Sequence, residues 1–422
     1  MLDPQLAELF HQFDRAGARW CVLRLPAGPG NSDGDVDLLV DPTDVRLMRQ
    51  VLMGLEFVPV PAGGRDYHFL SYQQPTGRWI WIHIVTELSF GRYSVLQTRA
   101  EAGCLMRRER DGAMFTLAPD DAFWVLLLHC LVDKSSIAAR HRTRLQALAA
   151  VALTESPLAQ VVAAACPASW TLARILQYAR DGRWVQLEQF GPAFTRSWMR
   201  RQHIGTWTIL LHRVSQLIVK LINLPRSRGL GVALLGPDGA GKTTVIADVQ
   251  KGFILPVRSV YMGLTGGLLP RADSLRFPVL VALTRLLIFW CRYLIAQYHQ
   301  SRGRLVIFDR YIYDAEVPTP YPLSRLKKAY RWMDGHALPA PDLVLVLSAP
   351  GEIMYQRKRE YNPEMLEDWR QHFLALQKRM RQAEIVDTTR DRDAVRIDVT
   401  DRIWQQYASR WLRNSAARGS AI

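Results

Sequence analysis

The sequence predicts an α/β multidomain chain: a small N-terminal α/β domain with a helical bundle behind it, followed by a doubly wound parallel sheet. Three observations carry this reading. At 422 residues the chain is longer than one hydrophobic core usually serves. After residue 230 its strand-like runs are near-continuous apolar stretches separated by helical segments, the pattern of a parallel sheet buried on both faces. Before residue 225, strand-and-turn patterning to about residue 115 gives way to helical periodicity. The expected domains are residues 1–115, 116–225 and 226–422.

Taken in order, the N-terminal segment "PQLAELFHQFDRAG" reads as an amphipathic helix carrying acids, not as a signal peptide. An apolar strand at residues 20–25 enters a Gly/Pro/Asn/Asp turn, and a second strand follows it. A helix at residues 42–55 and two strand-like runs, "DYHFLSYQ" and "GRWIWIHIVTEL", complete the small α/β unit. Helices are then expected from "APDDAFWVLLLHCLVDK" onward, at residues 138–154, 157–165, 168–181 and, as one long helix, 194–224. "LPRSRG" is the linker candidate. Beyond it, strands are expected at residues 231–235, 259–262, 304–308, 343–347 and 385–387. The helices between them fall at the phosphate loop and at residues 275–300, 350–361 and 363–384, with a last helix from residue 392. Right-handed crossovers make this a doubly wound fold.

Hydrophobic residues at 49% and charged residues at 22% place the chain with folded proteins rather than disordered ones. The formal net charge of +15 favours anionic partners, although no helix-turn-helix, RNA-recognition or zinc-finger motif accompanies it. Five scattered cysteines with no C-x-x-C pair fit reduced thiols and a cytoplasmic location. The apolar stretches at residues 204–224 and 277–298 contain Arg213 and Lys220, and Arg285 and Arg292, so neither reads as a membrane span. The basic helix around residues 196–220 is a candidate for peripheral membrane contact, and a homodimer is a candidate assembly.

The chemistry starts at "GPDGAGKTT", residues 236–244. Gly236, four residues, then Gly241-Lys242-Thr243 is the Walker A spacing, with a strand before it and a helix after it. Gly236, Gly239 and Gly241 let the backbone wrap a phosphate with its N–H groups at a helix N-terminus. Asp238, Ala240 and Thr244 complete the expected triphosphate-binding set. Lys242 is placed to reach the β- and γ-phosphates of ATP, and the Thr243 hydroxyl to coordinate Mg²⁺. In "RLVIFDRYIYD" a strand delivers Asp309 and Arg310 to its carboxyl end, where open α/β sheets bind ligands. Asp309 could serve the magnesium shell, and Arg310 could clamp a phosphate. In "GEIMYQRKREYNP", Arg357, Lys358 and Arg359 form a basic cluster, either a solvated face or a closing lid, with Arg357 the leading candidate.

In this order, "GPDGAGKTT", "DRYIYD", "PDLVLVLSAP", "QRKRE" and "IVDTT" resemble the thymidylate kinase branch of the nucleoside-monophosphate kinases over about residues 228–410. The resemblance implies a P-loop kinase fold with ATP and Mg²⁺ at Gly239, Gly241, Lys242 and Thr243. It also implies an Asp309–Arg310 pair facing the acceptor, a lid at Arg357 and Arg359, and an adenine edge near residues 387–389. Thymidylate kinases carry an Arg-Glu-Pro segment after the P-loop helix; here that stretch reads "SVYMGLTGG". The acceptor is therefore not expected to be dTMP. The sequence looks more like the divergent thymidylate kinase-like proteins found with bacterial surface-polysaccharide genes.

In "NSDGDVDLLV", Asp35 and Asp37 project from one face of a strand, as two-metal sites require of their carboxylates. The arrangement resembles the nucleotidyltransferase superfamily over about residues 5–115. That family needs a third acid on the neighbouring strand, where this chain has Trp81; His83 and Glu87 are the candidate substitutes, and Asx-turn chemistry alone also accounts for the aspartates.

The expected function is ATP- and Mg²⁺-dependent phosphoryl transfer to a small phosphorylated or sugar-linked acceptor. The alternatives are nucleotidyl transfer in the N-terminal domain with the kinase domain in support, a nucleotide-binding switch without an acceptor, and nucleic-acid binding through basic charge.

Overall fold

The computed structural model describes residues 3–24, 35–60, 67–223, 229–263, 278–318 and 323–417. The chain is mixed α/β and forms two compact units, one of Met1–Ser71 with Ile80–Asn223 and one of Tyr72–Trp79 with Leu224–Ile422.

The first unit is built on a mixed seven-stranded sheet. Its order from edge to edge is Val58–Val60, Tyr67–Gln73, Arg78–Val85, Asp35–Val40, Trp20–Arg24, Met114–Thr116 and Glu109–Asp111. Strand alternation decides what lies on each face. Val36, Leu38 and Val40 join Ile80, Ile82 and Ile84 beneath the helices Pro4–Arg15 and Val45–Gly54, packing on Phe10, Phe13, Met48 and Leu52. On the opposite face, Leu39 and Cys21 enter a second core with Phe123, Trp124 and Phe190. The helices expected after residue 116 thus share a core with the sheet, and they cover the Leu39 end of that face. Asp35 and Asp37 lie toward its other end.

The long helix expected at residues 194–224 is two helices, Trp184–Arg201 and Thr206–Asn223. The break has a local cause. His203 takes a left-handed φ of 54°, its N–H donating to Arg200 O, while the Ile204 N–H reaches back to Met199 O at 2.9 Å. That is a closed helix C-terminus, and Gly205 follows it. The linker residues 224–228 lie outside the described residues.

The second unit holds a five-stranded sheet, parallel throughout, in the order Val257–Tyr261, Leu305–Asp309, Gly231–Leu235, Leu343–Ser348 and Ala383–Asp387. The central Gly231–Leu235 and Leu343–Ser348 strands are buried at every position, which explains their unbroken apolar sequence. From the central strand the chain builds one side of the sheet and then crosses to the other. The loop after residue 235 therefore sits where the connections diverge, the place where such sheets bind ligands.

Two helices differ from expectation. The segment expected to be helical to residue 361 ends at Arg357, and Lys358 is extended. Arg325–Gly335 forms a helix that was not anticipated, although Leu326, Ala329, Tyr330 and Met333 fall at helical spacing; Ser324 caps it by accepting from the Lys327 N–H. Among the described residues, no helix is long and apolar enough to cross a membrane.

Candidate functional site

The loop leaving the central strand owes its shape to glycine. Gly239 has φ +85°, and a Cβ there would lie 2.4 Å from the Met354 carbonyl oxygen, so no other residue fits. Gly241, also left-handed, caps the helix Lys242–Gly252 and leaves its first N–H groups facing the loop. Thr243 and Thr244 are exposed on that first turn.

Lys242 is only 8% exposed, and its ammonium donates to the carbonyls of Gly236 at 2.7 Å and Pro237 at 2.8 Å. Burial, and then the nearby Arg310 charge, drive its pKa down to about 8. This is a cation folded back on its own loop, with carbonyl dipoles where phosphate oxygens would be stronger partners.

Asp309 ends its strand paired with Leu234 on one side and Tyr261 on the other, one residue short of the loop's start. Its carboxylate makes no ion pair among the described residues; it and the Thr243 hydroxyl are hard oxygen donors of the kind that could hold magnesium. Arg310, at φ +64°, turns its guanidinium across the loop. Nη2 donates to Asp238 Oδ1 at 2.7 Å and Nη1 to Asp314 Oδ2 at 3.2 Å. Burial disfavours the charge on Arg310, but Asp314 and Asp238 outweigh it and hold its pKa up. Burial likewise opposes ionisation of Asp238, yet Arg310, Lys242 and Lys358 together hold that carboxyl below its usual range.

The basic cluster is arranged differently from expectation. Arg357, the last residue of its helix, donates to the Thr388 carbonyl at 2.7 Å. Lys358 instead approaches Asp238, 3.7 Å away, and also pairs with Glu360 at 3.0 Å. Arg359 is exposed. Thr388 meanwhile donates its hydroxyl to Ser348 O, and Arg370 Nε donates to Ser348 Oγ at 2.8 Å. Sequence reasoning missed Asp314, Ser348 and Arg370. The i, i+4 spacing of Arg310 and Asp314 was the one visible signal among these. Within "YMGLTGG", residues 264–267 lie outside the described residues.

In the first unit, the liganding atoms of Asp35, Asp37 and His83 lie within 4.8 Å of one another. Strand register explains this: Asp35 faces Trp81 and Asp37 faces His83 across a parallel pair. His83 Nδ1 is 2.8 Å from Asp37 Oδ1, and its ring stacks on His68 at 4.3 Å. Trp81, opposite Asp35, donates its indole N–H to His68 Nδ1 at 3.0 Å. Glu87 does not join the group. It lies past the other end of the strand, lining a cavity of about 360 Å³ with Asp41, Arg99 and Glu101. Arg24 was not anticipated: it bridges the aspartates, 2.8 Å from Asp37 and 3.2 Å from Asp35. Two carboxylates and an imidazole form a donor set that fits one divalent cation, with Arg24 as its competitor. The turn at residues 30–32 lies outside the described residues.

No protein-family model matches the chain, and no curated protein matches it.

Proposed function

We propose that the second unit is a phosphotransferase that holds MgATP on the residue 236–244 loop and passes the γ-phosphoryl group to a small acceptor. The observation that carries this is Lys242, buried within a glycine-built loop at the carboxyl end of a central parallel strand, beside Arg310 and Asp309. More particularly, the motif order supports a thymidylate kinase-like enzyme of the divergent kind, whose acceptor is not dTMP because the arginine-bearing segment is missing.

In this reading Thr243 and Asp309 would hold Mg²⁺, which would supply positive charge to the transferring group. Lys242 exchanges its two loop carbonyls for phosphate oxygens. Arg310 is preset beside the loop by Asp238 and Asp314, which removes the entropy cost of ordering it. Lys358 swings in from Asp238 and Glu360 as charge builds. The test is an ATP-consumption screen across nucleoside monophosphates, sugars and sugar phosphates, with Lys242→Ala as the blank. A wide preference for dTMP would contradict the acceptor reading, and turnover that survives in Lys242→Ala would sink the whole of it.

A second reading is favoured by the Asp35–Asp37–His83 group, which supports metal-dependent nucleotidyl transfer in the first unit. Activity abolished by Asp35→Ala and spared by Lys242→Ala would establish it. All five cysteines are free, which supports a cytoplasmic setting.

A further inference from the structure

The turn at His203 separates two helices that place their apolar residues differently. In Trp184–Arg201, the side chains of Leu187, Phe190, Phe194 and Trp198 enter the core shared with the sheet. In Thr206–Asn223, Trp207, Leu210, Leu211, Val214 and Ile218 stay outside that core, and each is exposed. Trp207 is 76% exposed and Leu211 66%. These positions are not scattered. At 3.6 residues per turn, all five fall within about 100° of one helix face, along about three turns, and Arg213 lies beyond the edge of that sector. Single exposed apolar residues are ordinary on a folded protein, but a continuous stripe marks a surface that something covers.

The charges around the stripe select what covers it. Glu188 is the last acid before Asp238, and seven Arg and Lys residues lie between them. Arg196, Arg200 and Arg201 are exposed toward the end of the first helix, and Arg213 is exposed on the second. Arg196 and Arg201 donate to neutral carbonyls, and none of the four pairs with a carboxylate among the described residues, so their charge is uncompensated. A second copy seated on this face by two-fold symmetry would set these cations against their own kind. The helix does not cross a bilayer either: it is about 27 Å long, with Arg213 near its middle. An anionic lipid surface answers both features, since it buries an apolar stripe and supplies negative charge beside it.

We propose that Thr206–Asn223 is an interfacial helix that seats the first unit on an anionic membrane surface. The helix lies in the membrane plane, with its five apolar side chains at the boundary between headgroups and acyl chains. Trp207 sits at headgroup depth at the start of the helix, where an indole ring is favoured. Arg200, Arg201 and Arg213 reach the lipid phosphates and carboxylates, with their methylene stems along the apolar layer. The turn at His203 and Gly205 is what frees this helix from the bundle that the preceding one completes.

The test uses the full chain and two kinds of vesicle, phosphatidylcholine alone and phosphatidylcholine with about a third phosphatidylserine, with binding measured by flotation. Wild type should bind the anionic vesicles more tightly by about tenfold or more. A chain of net charge +15 adheres to such vesicles by charge alone, so the deciding variant leaves the charge unchanged. Leu210→Gln with Leu211→Gln should weaken binding by about tenfold or more and remove the part that survives high salt. Arg200→Gln with Arg213→Gln should weaken it by about tenfold on the anionic vesicles only. Leucine variants that bind like wild type would reduce the interaction to charge and overturn the inference. Wild type that floats equally with both vesicles, or with neither, would overturn it too. Both leucines are exposed, so the melting temperature of their variant should stay within about 2 °C of wild type. A larger fall would mean that the face packs on the chain itself, and a wild-type dimer that the leucine variant dissociates in sedimentation equilibrium would mean that a second copy covers it. Either result overturns the membrane reading.

Discussion

Arg310 Nη2 donates to Asp238 Oδ1 at 2.7 Å, tying the end of one strand to the phosphate loop that follows its neighbour. The contact stabilises the loop but holds a negative charge beside Lys242, where the proposed triphosphate would sit. Asp238→Asn should therefore move two quantities in opposite directions. Stability at neutral pH should fall, because a carboxyl held below its usual range stabilises the fold above that range and loses the contribution as pH drops through it. Affinity for ATP should rise by about threefold to tenfold, since a nearby like charge is gone and Arg310 is released. Calorimetry and thermal melts check this; a parallel fall in both would show that the pair builds the loop.

Lys242 gives a stability signature in alkali. Its folded pKa of about 8 lies below the ordinary 10.5. Below pH 8 both folded and unfolded chains carry the proton, and the cost of burying charge is full, on the order of 3 kcal/mol. Between those values the unfolded chain holds more protons, so the stability of the nucleotide-free protein rises with pH. Above 10.5 the cost is gone. Lys242→Met should flatten this rise relative to wild type in urea melts across pH 7–10, and identical slopes would refute the shift.

The neighbouring cations Arg357 and Lys358 should separate cleanly. Lys358 is the one near Asp238, so Lys358→Ala should lower kcat by about tenfold with little change in melting temperature. Arg357 holds the Thr388 carbonyl, so Arg357→Ala should instead destabilise the residue 387–389 corner by about 1–2 kcal/mol. The reverse assignment of effects would mean that Arg357 turns inward when nucleotide binds.

Arg24 sets the metal affinity of the first unit. Arg24→Ala removes a cation from between Asp35 and Asp37, and Mn²⁺ binding followed by electron paramagnetic resonance should tighten by about tenfold or more. Asp37→Asn should abolish it. Binding that ignores both substitutions would mean that the metal sits elsewhere.

What the sequence could show followed the range of the interactions. The turn from strand to helix at residues 236–242 was legible because Gly236, Gly239 and Gly241 act through a local backbone shape. Asp309 and Arg310 were legible because a strand end locates itself. The choice between Arg357 and Lys358 was not, since it turns on a helix stopping at residue 357, and one residue of continued helix would point the cluster elsewhere. Arg24 was hidden for a different reason: it meets Asp37 only through antiparallel pairing across a sheet. The joining of the N-terminal sheet and the following helices through Leu39 and Phe123 likewise depends on which strand face each element covers. His203 broke a helix that apolar periodicity alone would have continued.

The strand order of the second unit also bears on how the protein is made. A ribosome delivers Gly231–Leu235 first, and this apolar strand must wait with two bare edges until Leu305–Asp309 and then Leu343–Ser348 emerge to pair with it. A nascent chain halted before residue 343 already carries Lys242 and Asp309 but exposes a sticky edge in place of half a sheet. Such intermediates are natural clients for chaperones. On the phosphotransferase reading, competence to bind nucleotide should appear abruptly, late in synthesis, once the strand ending at Asp387 is in place.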